Sequence, residues 1–553
     1  MENSKEFRFS PTGLAGRQRV WQRVFEIMPG AVSWGIICGM TVLSAFFPLV
    51  AAILIIAFYI YWLLRIFYLT IFLVLSYLRL SVEKDTDWMD RVRNTDKIKD
   101  DMGSWPKKGR SGSRAKDISE KFYRKDVENL IRSRGKKIHS DDIYHIVIVP
   151  IAKESGEIVN PGIMSMTKSK FPTSRILLVM ALEARAEEQV KRDIREIGRR
   201  YKDLFLDVLI VEHPDGIPGE IRAKGANTTF AARAGKEFFS ERNIPLENVL
   251  VSCFDSDTVV NEQYFACLTY YFLVCPFRCK ASFQPIPVYN NNIWDAPGLT
   301  RVLDIGSSFF LLIEATNPEK LVTFSSHSMS FQALCDIGYW PVDMISDDSA
   351  VFWKAFLQFN GEYHTVPMYT TISMDAVVGE SLWKTVVNVY KQKRRWAWGV
   401  ENFPIVMRGF MQNRGIPLLT KIKQSFKLLE GHVSWSTWAF LLTFVGWLPA
   451  ALSLDKEFAV SVFYYSGPRV AATIFNLASF SLIASIILSF CMLPRRGKKV
   501  SLLKKAGFIL QWLLMPFTLI FLSALPALDA QTRLMTGRYM GFWVTDKIKS
   551  GKS

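Results

Sequence analysis

The sequence predicts an α/β domain, with a largely parallel sheet covered on both faces, set between membrane-spanning helices. Three observations predict it. Hydrophobic residues make up 49% of the 553 residues while 22% are charged, so the apolar content must be segregated along the chain. The longest apolar runs lie near the two ends, and each exceeds the ~20 residues a span requires. From Tyr144 onward the pattern changes to strand-like runs (HIVIVPI, RILLVMAL, LFLDVLIVEH, NVLVSCFD) alternating with helical stretches such as Ala186–Tyr201 and Asn227–Ser240. Strand–helix alternation builds parallel sheets, whose ligands bind outside the carboxyl ends of the strands.

The elements follow in order. Residues 1–30 are a basic segment without a signal-peptide core, and residues 31–80 hold two transmembrane helices that turn near Phe47-Pro48. Arg65 is the one charge well inside that stretch; it is expected to snorkel at the end of a shorter second span, with residues 66–80 along the interface. Residues 81–140 read as a polar, solvated cytoplasmic linker with helical pieces, and residues 141–430 as the catalytic domain with interfacial helices. Residues 431–530 hold three transmembrane or re-entrant helices, and residues 531–553 form a basic tail. The positive-inside rule puts the RRGKK loop (Arg495–Lys499) in the cytoplasm. Three full crossings after the domain would then leave the tail outside. Its Arg533, Arg538, Lys547, Lys549 and Lys552 argue for inside, so the last segment, interrupted by Pro516, either re-enters or breaks the rule.

Lys and Arg outnumber Asp and Glu by 68 to 51, a surplus that calls for an anionic partner. Basic runs beside apolar segments (Arg495–Lys499 and Lys107–Lys116) point to the lipid bilayer. Nucleic acid drops out as a partner because no zinc-finger or RNA-binding spacing is present. The 7 cysteines follow no disulfide pattern and read as buried free thiols, and the 6 histidines do not cluster as metal ligands.

Three local features carry chemistry. Asp255-Ser256-Asp257 follows the apolar strand Val249–Cys253. Two carboxylates at i and i+2 on a strand end make a hard-oxygen platform for Mg²⁺ or Mn²⁺, which takes other ligands from water and a diphosphate. A solvated turn is the plain alternative, and the position after a buried strand favours the platform. Ser346-Asp347-Asp348 precedes an amphipathic stretch and reads as a helix cap or as a carboxylate pair suited to general-base work. Gln392-Lys393-Arg394-Arg395-Trp396 reads as a basic helix face, or as forks for phosphate oxygens beside an indole on which a sugar stacks.

Taken in this order, the three features resemble the processive, membrane-integrated family 2 glycosyltransferases, the group of bacterial cellulose synthase, hyaluronan synthase and chitin synthase. The resemblance runs from about residue 144 to 400 plus the flanking spans, and Q-x-x-R-W is its specific part. It implies a GT-A-type, Rossmann-like domain and an inverting, metal-dependent transfer from a nucleotide-sugar, a UDP-sugar in most of the group. The acceptor it implies is a growing polysaccharide, with translocation across the membrane; a lipid-linked acceptor is the alternative, and a catalytically silent scaffold the second. It further implies a bacterial inner or plasma membrane protein with the domain in the cytoplasm. By position, Pro150 and Glu154 open the nucleotide pocket, Glu183 stands where the family carries Asp-Asp-Gly, and Lys224 and Asn227 lie near the donor's ribose and diphosphate. Asp255 contacts the donor and, with Asp257, the metal; Asp348, beside Asp347, is the base; Arg394 and Arg395 hold the diphosphate. Gln392, Trp396, Gln284 and His327 face the acceptor, the last where the family has Gly-Thr-Asn. Phe542-Trp543-Val544-Thr545-Asp546-Lys547 resembles a C-terminal element that is cytoplasmic in the family, which favours a re-entrant last segment.

Overall fold

The computed structural model describes residues 7–100, 114–132, 138–494, 502–541 and 543. Most of the Lys107–Lys116 run, the Arg495–Lys499 run, Phe542 and Val544–Lys547 lie outside the described residues. The chain forms two compact units. A sheet unit comprises Ser76–Asn291 and Phe310–Asp375; an apolar unit comprises Met1–Leu75, Asn292–Phe309 and Ala376–Ser553.

In the sheet unit, eight strands form one sheet: β1 (Tyr144–Ile151), β2 (Ile176–Glu183), β3 (Asp207–His213), β4 (Val249–Cys253), β5 (Val259–Val260), β6 (Ala281–Val288), β7 (Ser328–Ser330) and β8 (His364–Ser373). Their order is β3-β2-β1-β4-β7-β6-β8-β5. The first half is parallel: β1 lies between β2 and β4, and β2 pairs with β3. β1, β2 and β4 are near-continuous apolar runs because helices cover both faces. The expectation of a largely parallel sheet holds: in the second half β6 and β8 also pair in parallel, and two short strands run against the rest. The three-residue β7 runs antiparallel to both β4 and β6, and β5 runs antiparallel to β8. So short a strand, reading Ser-Met-Ser, carries no periodicity to be seen in the sequence.

The stretch read as a solvated linker is also corrected. Its helices Trp88–Asp100 and Arg114–Arg132 put Trp88, Val92, Tyr123 and Val127 into the same core as β1, β2 and the helix Tyr264–Val274. Polar residues surround that narrow apolar stripe, and Arg91 is neutralised by Glu83 at 3.0 Å. A composition average over the stretch therefore reads as solvent-exposed.

Among the described residues, four helices are long and apolar enough to cross a membrane: Gly16–Phe46, Pro48–Glu83, Val462–Met492 and Ala506–Thr536. A fifth candidate is the pair Leu418–Thr443 and Val445–Leu452, bent by 44°. The first two meet at Phe47-Pro48, as the sequence predicts. The second runs unbroken through Arg65, which does not snorkel freely. Its guanidinium pairs with Glu430 at 2.7 Å and lies 4.8 Å from the centre of the Trp438 ring.

The packing partners fix depth along the unit. Ser33 meets Ser436 at 2.9 Å, and the N–H of Leu454 donates to Ala45 O at 3.1 Å, so the bent pair runs alongside the first helix to its far end. The last segment keeps to the near half. Gln531 accepts from Ser33 at 2.7 Å, Trp34 donates to Thr532 at 2.9 Å, and Tyr539 donates to Glu26 at 2.8 Å. At its start, Phe508 packs on Phe490 and Trp294, and Gln511 accepts from Arg301 at 2.8 Å.

Candidate active site

The carboxyl ends of β1, β2, β3 and β4 gather the polar residues of the sheet unit. Asp255 and Asp257 follow β4 in a turn closed by Thr258 N–H to Asp255 O at 2.9 Å. Ser326, in the left-handed region at φ 59, ties the turn down. Its hydroxyl accepts from the Asp255 N–H at 3.2 Å and shares a 2.8 Å bond with the Thr258 hydroxyl. On the other side Gly162 packs so closely that a Cβ there would meet Thr258 O at 2.5 Å.

Lys224, first residue of the helix Lys224–Glu241, lies at the centre. Its ammonium donates to Asp255 Oδ1 at 2.8 Å and to both oxygens of Asp348 at 2.9 and 3.2 Å. Burial alone would push its pKa down. The Asp255 and Asp348 charges outweigh that and hold it well above the usual lysine range. Asp348 belongs to the first turn of the helix Asp347–Gln358, yet the Ser346 side chain makes no capping bond. Asp348 is about a quarter exposed, whereas Asp347 is buried. The donor hydroxyls of Ser325 (2.5 Å, to Asp255 Oδ2) and Thr323 (2.6 Å, to the Asp348 backbone oxygen) complete the cluster. Neither serine nor threonine was legible in the sequence, since their loop carries no periodic signal.

The remaining residues expected at the donor side of this unit lie at the neighbouring strand ends. Pro150 is in β1, and the Glu154 carboxylate accepts the N–H groups of Ala152 and Lys153 at 2.8 and 3.0 Å, closing the loop after it. Glu183 ends β2, takes Arg185 at 3.2 Å and faces His213 at 3.8 Å. Asn227 donates to Ala181 O at 2.8 Å, and its own oxygen has no hydrogen-bond partner among the described residues.

The two residues expected at the acceptor in this unit, Gln284 and His327, are buried and bonded within the protein. Gln284 accepts the Phe324 N–H at 2.8 Å, and His327 Nδ1 bonds Phe324 O at 2.9 Å. Both brace the loop that carries Ser325 and Ser326. Burial pushes the His327 pKa down, against the opposing pull of Asp348.

Gln392, Arg394, Arg395 and Trp396 lie on the helix Leu382–Ala397 of the apolar unit. Arg394 is committed to Asp529 at 2.9 Å, an acid that also takes Arg533 at 2.7 Å. This differs from the expected diphosphate contact. Lys393, not singled out from the sequence, is buried, donates to Ser307 at 2.8 Å and lies 3.9 Å from the centre of the Trp396 ring. Lys391 of the same helix lies 5.1 Å from the centre of the Trp543 ring.

Residues 250–525, about half of the chain, match the model of Glycosyl transferase family group 2. The chain belongs to that family. With that, the mixed sheet is GT-A-type, as the resemblance implied. Two curated relatives from Staphylococcus epidermidis, both poly-β-1,6-N-acetyl-D-glucosamine synthases, are 28% and 27% identical over 154 residues, 27% of this chain. The aligned part spans about a third (34%) of each relative's length. Among solved structures, a mannosyltransferase from Pyrobaculum calidifontis with GDP-mannose and Mn²⁺ covers 76% of this chain and 98% of its own, at 13% identity and TM-score 0.39. Residues 1–349 of TarS from S. aureus with UDP cover 61% of this chain and 90% of their own, at 10% identity and TM-score 0.34.

For this family 2 chain, no group of three or more His, Cys, Asp or Glu side chains converges as a metal cage among the described residues. Asp255 and Asp257 nonetheless fit a divalent ion. They are hard oxygen donors, and Asp257, 2% exposed, has Oδ2 fixed by the Asp375 N–H at 2.8 Å. One or two carboxylates, with water and phosphate oxygens for the rest, is how Mg²⁺ is usually held.

Proposed function

We propose that the protein is an inverting glycosyltransferase that moves a sugar from a nucleotide-sugar, a UDP-sugar, onto a growing polysaccharide. The observation that carries this reading is the convergence of Asp255 and Asp348 on one buried ammonium at the strand ends of a family 2 domain. Asp348 is the base. Its carboxylate, hydrogen-bonded by Lys224, takes the proton from an acceptor hydroxyl, and that oxygen attacks the donor's anomeric carbon as the diphosphate departs. Lys224 shifts its hydrogen bonds toward the diphosphate as charge grows there. Asp255 and Asp257 would hold Mg²⁺ or Mn²⁺, which supplies Lewis-acid stabilisation of the leaving diphosphate. Glu154, Glu183 and Asn227 line the nucleotide side. Gln392 and Trp396 hold the acceptor end, and Arg395 serves the diphosphate. Arg394, engaged by Asp529, positions that helix.

On this reading the protein lies in a bacterial inner or plasma membrane with the sheet unit in the cytoplasm, and the apolar helices support a membrane location. The first two helices, the bent pair and Val462–Met492 cross; the last segment re-enters. What supports this is that both ends of the last segment pack on near-half residues, Glu26 to Trp34 at one end and Phe490 at the other. All basic segments then share one side, and the parity conflict of the sequence disappears.

The test is a panel of nucleotide-sugars offered to purified protein in liposomes with Mg²⁺ or Mn²⁺. Consumption of one donor with a ladder of long products is expected. A single sugar on a lipid would favour the lipid-linked alternative, and no consumption of any donor would favour the silent scaffold.

A further inference from the structure

Asp257, the second acid of the Asp255-Ser256-Asp257 turn, is held at its carboxylate and its backbone oxygen by two residues that neither the motifs nor the resemblance assigned. Asn291 follows β6 and Asp375 follows β8; each ends one of the two segments of the sheet unit. Asp375 N–H donates to Asp257 Oδ2 at 2.8 Å. The Asn291 amide donates to Asp257 O at 3.0 Å and to Asp375 Oδ1 at 2.9 Å. The three bonds close a ring, Asp257 to Asp375 to Asn291 and back to Asp257. Met374 N–H to Val288 O (2.8 Å) and Asn291 N–H to Met374 O (3.3 Å) extend the β6–β8 ladder up to it. Asp257 and Asp375 are both buried, 2% and 8% exposed. A hydrogen bond in such a place is strong electrostatically, and loss of one partner leaves the other desolvated.

We infer that Asn291 and Asp375 are positioning residues that fix the rotamer and height of Asp257 toward the divalent ion. Asp375 acts as a hydrogen-bond acceptor for Asn291 and as a backbone donor to Asp257, not through its charge. This rests on the reading of Asp257 as the ion's ligand. Removing such outer partners typically costs ~10–100-fold in metal affinity. The roles of the two chemical properties of Asp375 can be separated, because asparagine keeps the Oδ1 acceptor and discards the charge.

The experiment titrates Mn²⁺ into the full-length protein in detergent, with UDP or GDP present, and follows loss of the free-ion paramagnetic resonance signal. Asn291→Ala and Asp375→Ala are expected to weaken Mn²⁺ binding at least about tenfold, while Asp375→Asn stays within about threefold of wild type. Nucleotide binding without metal, measured alongside, is expected to be unchanged in all three. Asp375→Asn as weak as Asp375→Ala would overturn the inference, making Asp375 a charge partner or ligand. So would wild-type Mn²⁺ affinity in Asn291→Ala. Asp257→Asn is the control. If it binds Mn²⁺ like wild type, the assignment of Asp257 itself fails, whatever Asn291 does.

Discussion

At the scale of single residues, the site is a balance of charge around one ammonium. Lys224 stands between two carboxylates that would otherwise repel, and its neighbour Gly225 lets it sit there. A Cβ at Gly225 would run into the backbone oxygen of Pro341. Backbone cannot give way as a flexible side chain does, so Gly225→Ala is expected to destabilise the protein by about 1–3 kcal/mol. Thermal unfolding of the purified variant checks this; an unchanged midpoint would mean the helix start shifts freely. The acids were legible in the sequence because each follows a strong local signal, an apolar strand before Asp255 and an amphipathic helix after Asp348. Ser325, Ser326, Asn291 and Asp375 were not. They lie in loops, where partners are set by the sheet's long-range pairing and not by any spacing along the chain. The bracing contacts of Gln284 and His327 were not legible for the same reason: position in a motif says nothing about which way a side chain faces.

At the scale of elements, the strands β1, β2 and β4 and the helices between them were readable because burial on both faces leaves continuous apolar runs. The antiparallel β7 and the core-forming helices before β1 were hidden, one by its length and the other by the polar residues around its stripe. The Q-x-x-R-W helix is packed through Lys393, whose amine is buried against Ser307 and the Trp396 ring. Burial, only partly offset by Asp304, lowers its pKa from 10.5 to about 8. Between those two values the unfolded chain binds the proton and the folded one does not, so stability rises with pH across that window. Below pH 8 the folded state carries the cost of the buried charge in full. Apparent melting temperature is therefore expected to gain less from pH 8 to 10 in Lys393→Met than in wild type. Equal gains in both would show that another group sets the slope.

At the scale of the whole molecule, the apolar segments decide topology. Sequence charge left the last segment undecided. On the proposed reading it re-enters, since a helix that packs on the near half at both ends need not reach the far face. In a Cys38→Ser background, Lys456→Cys in the loop beyond the bent pair is expected to react with a membrane-impermeant maleimide added outside intact cells. Arg538→Cys is expected to stay unlabelled until the cells are opened. External labelling of Arg538→Cys would mean that the last segment crosses.

The central claim is that Asp348 is the base of a sugar transfer. Its most direct test is Asp348→Asn with the donor that the panel identifies, comparing donor binding with turnover. The account predicts donor binding close to wild type and turnover lower by ~10²–10⁴-fold, the usual cost of losing a general base. Donor binding with full turnover would contradict it.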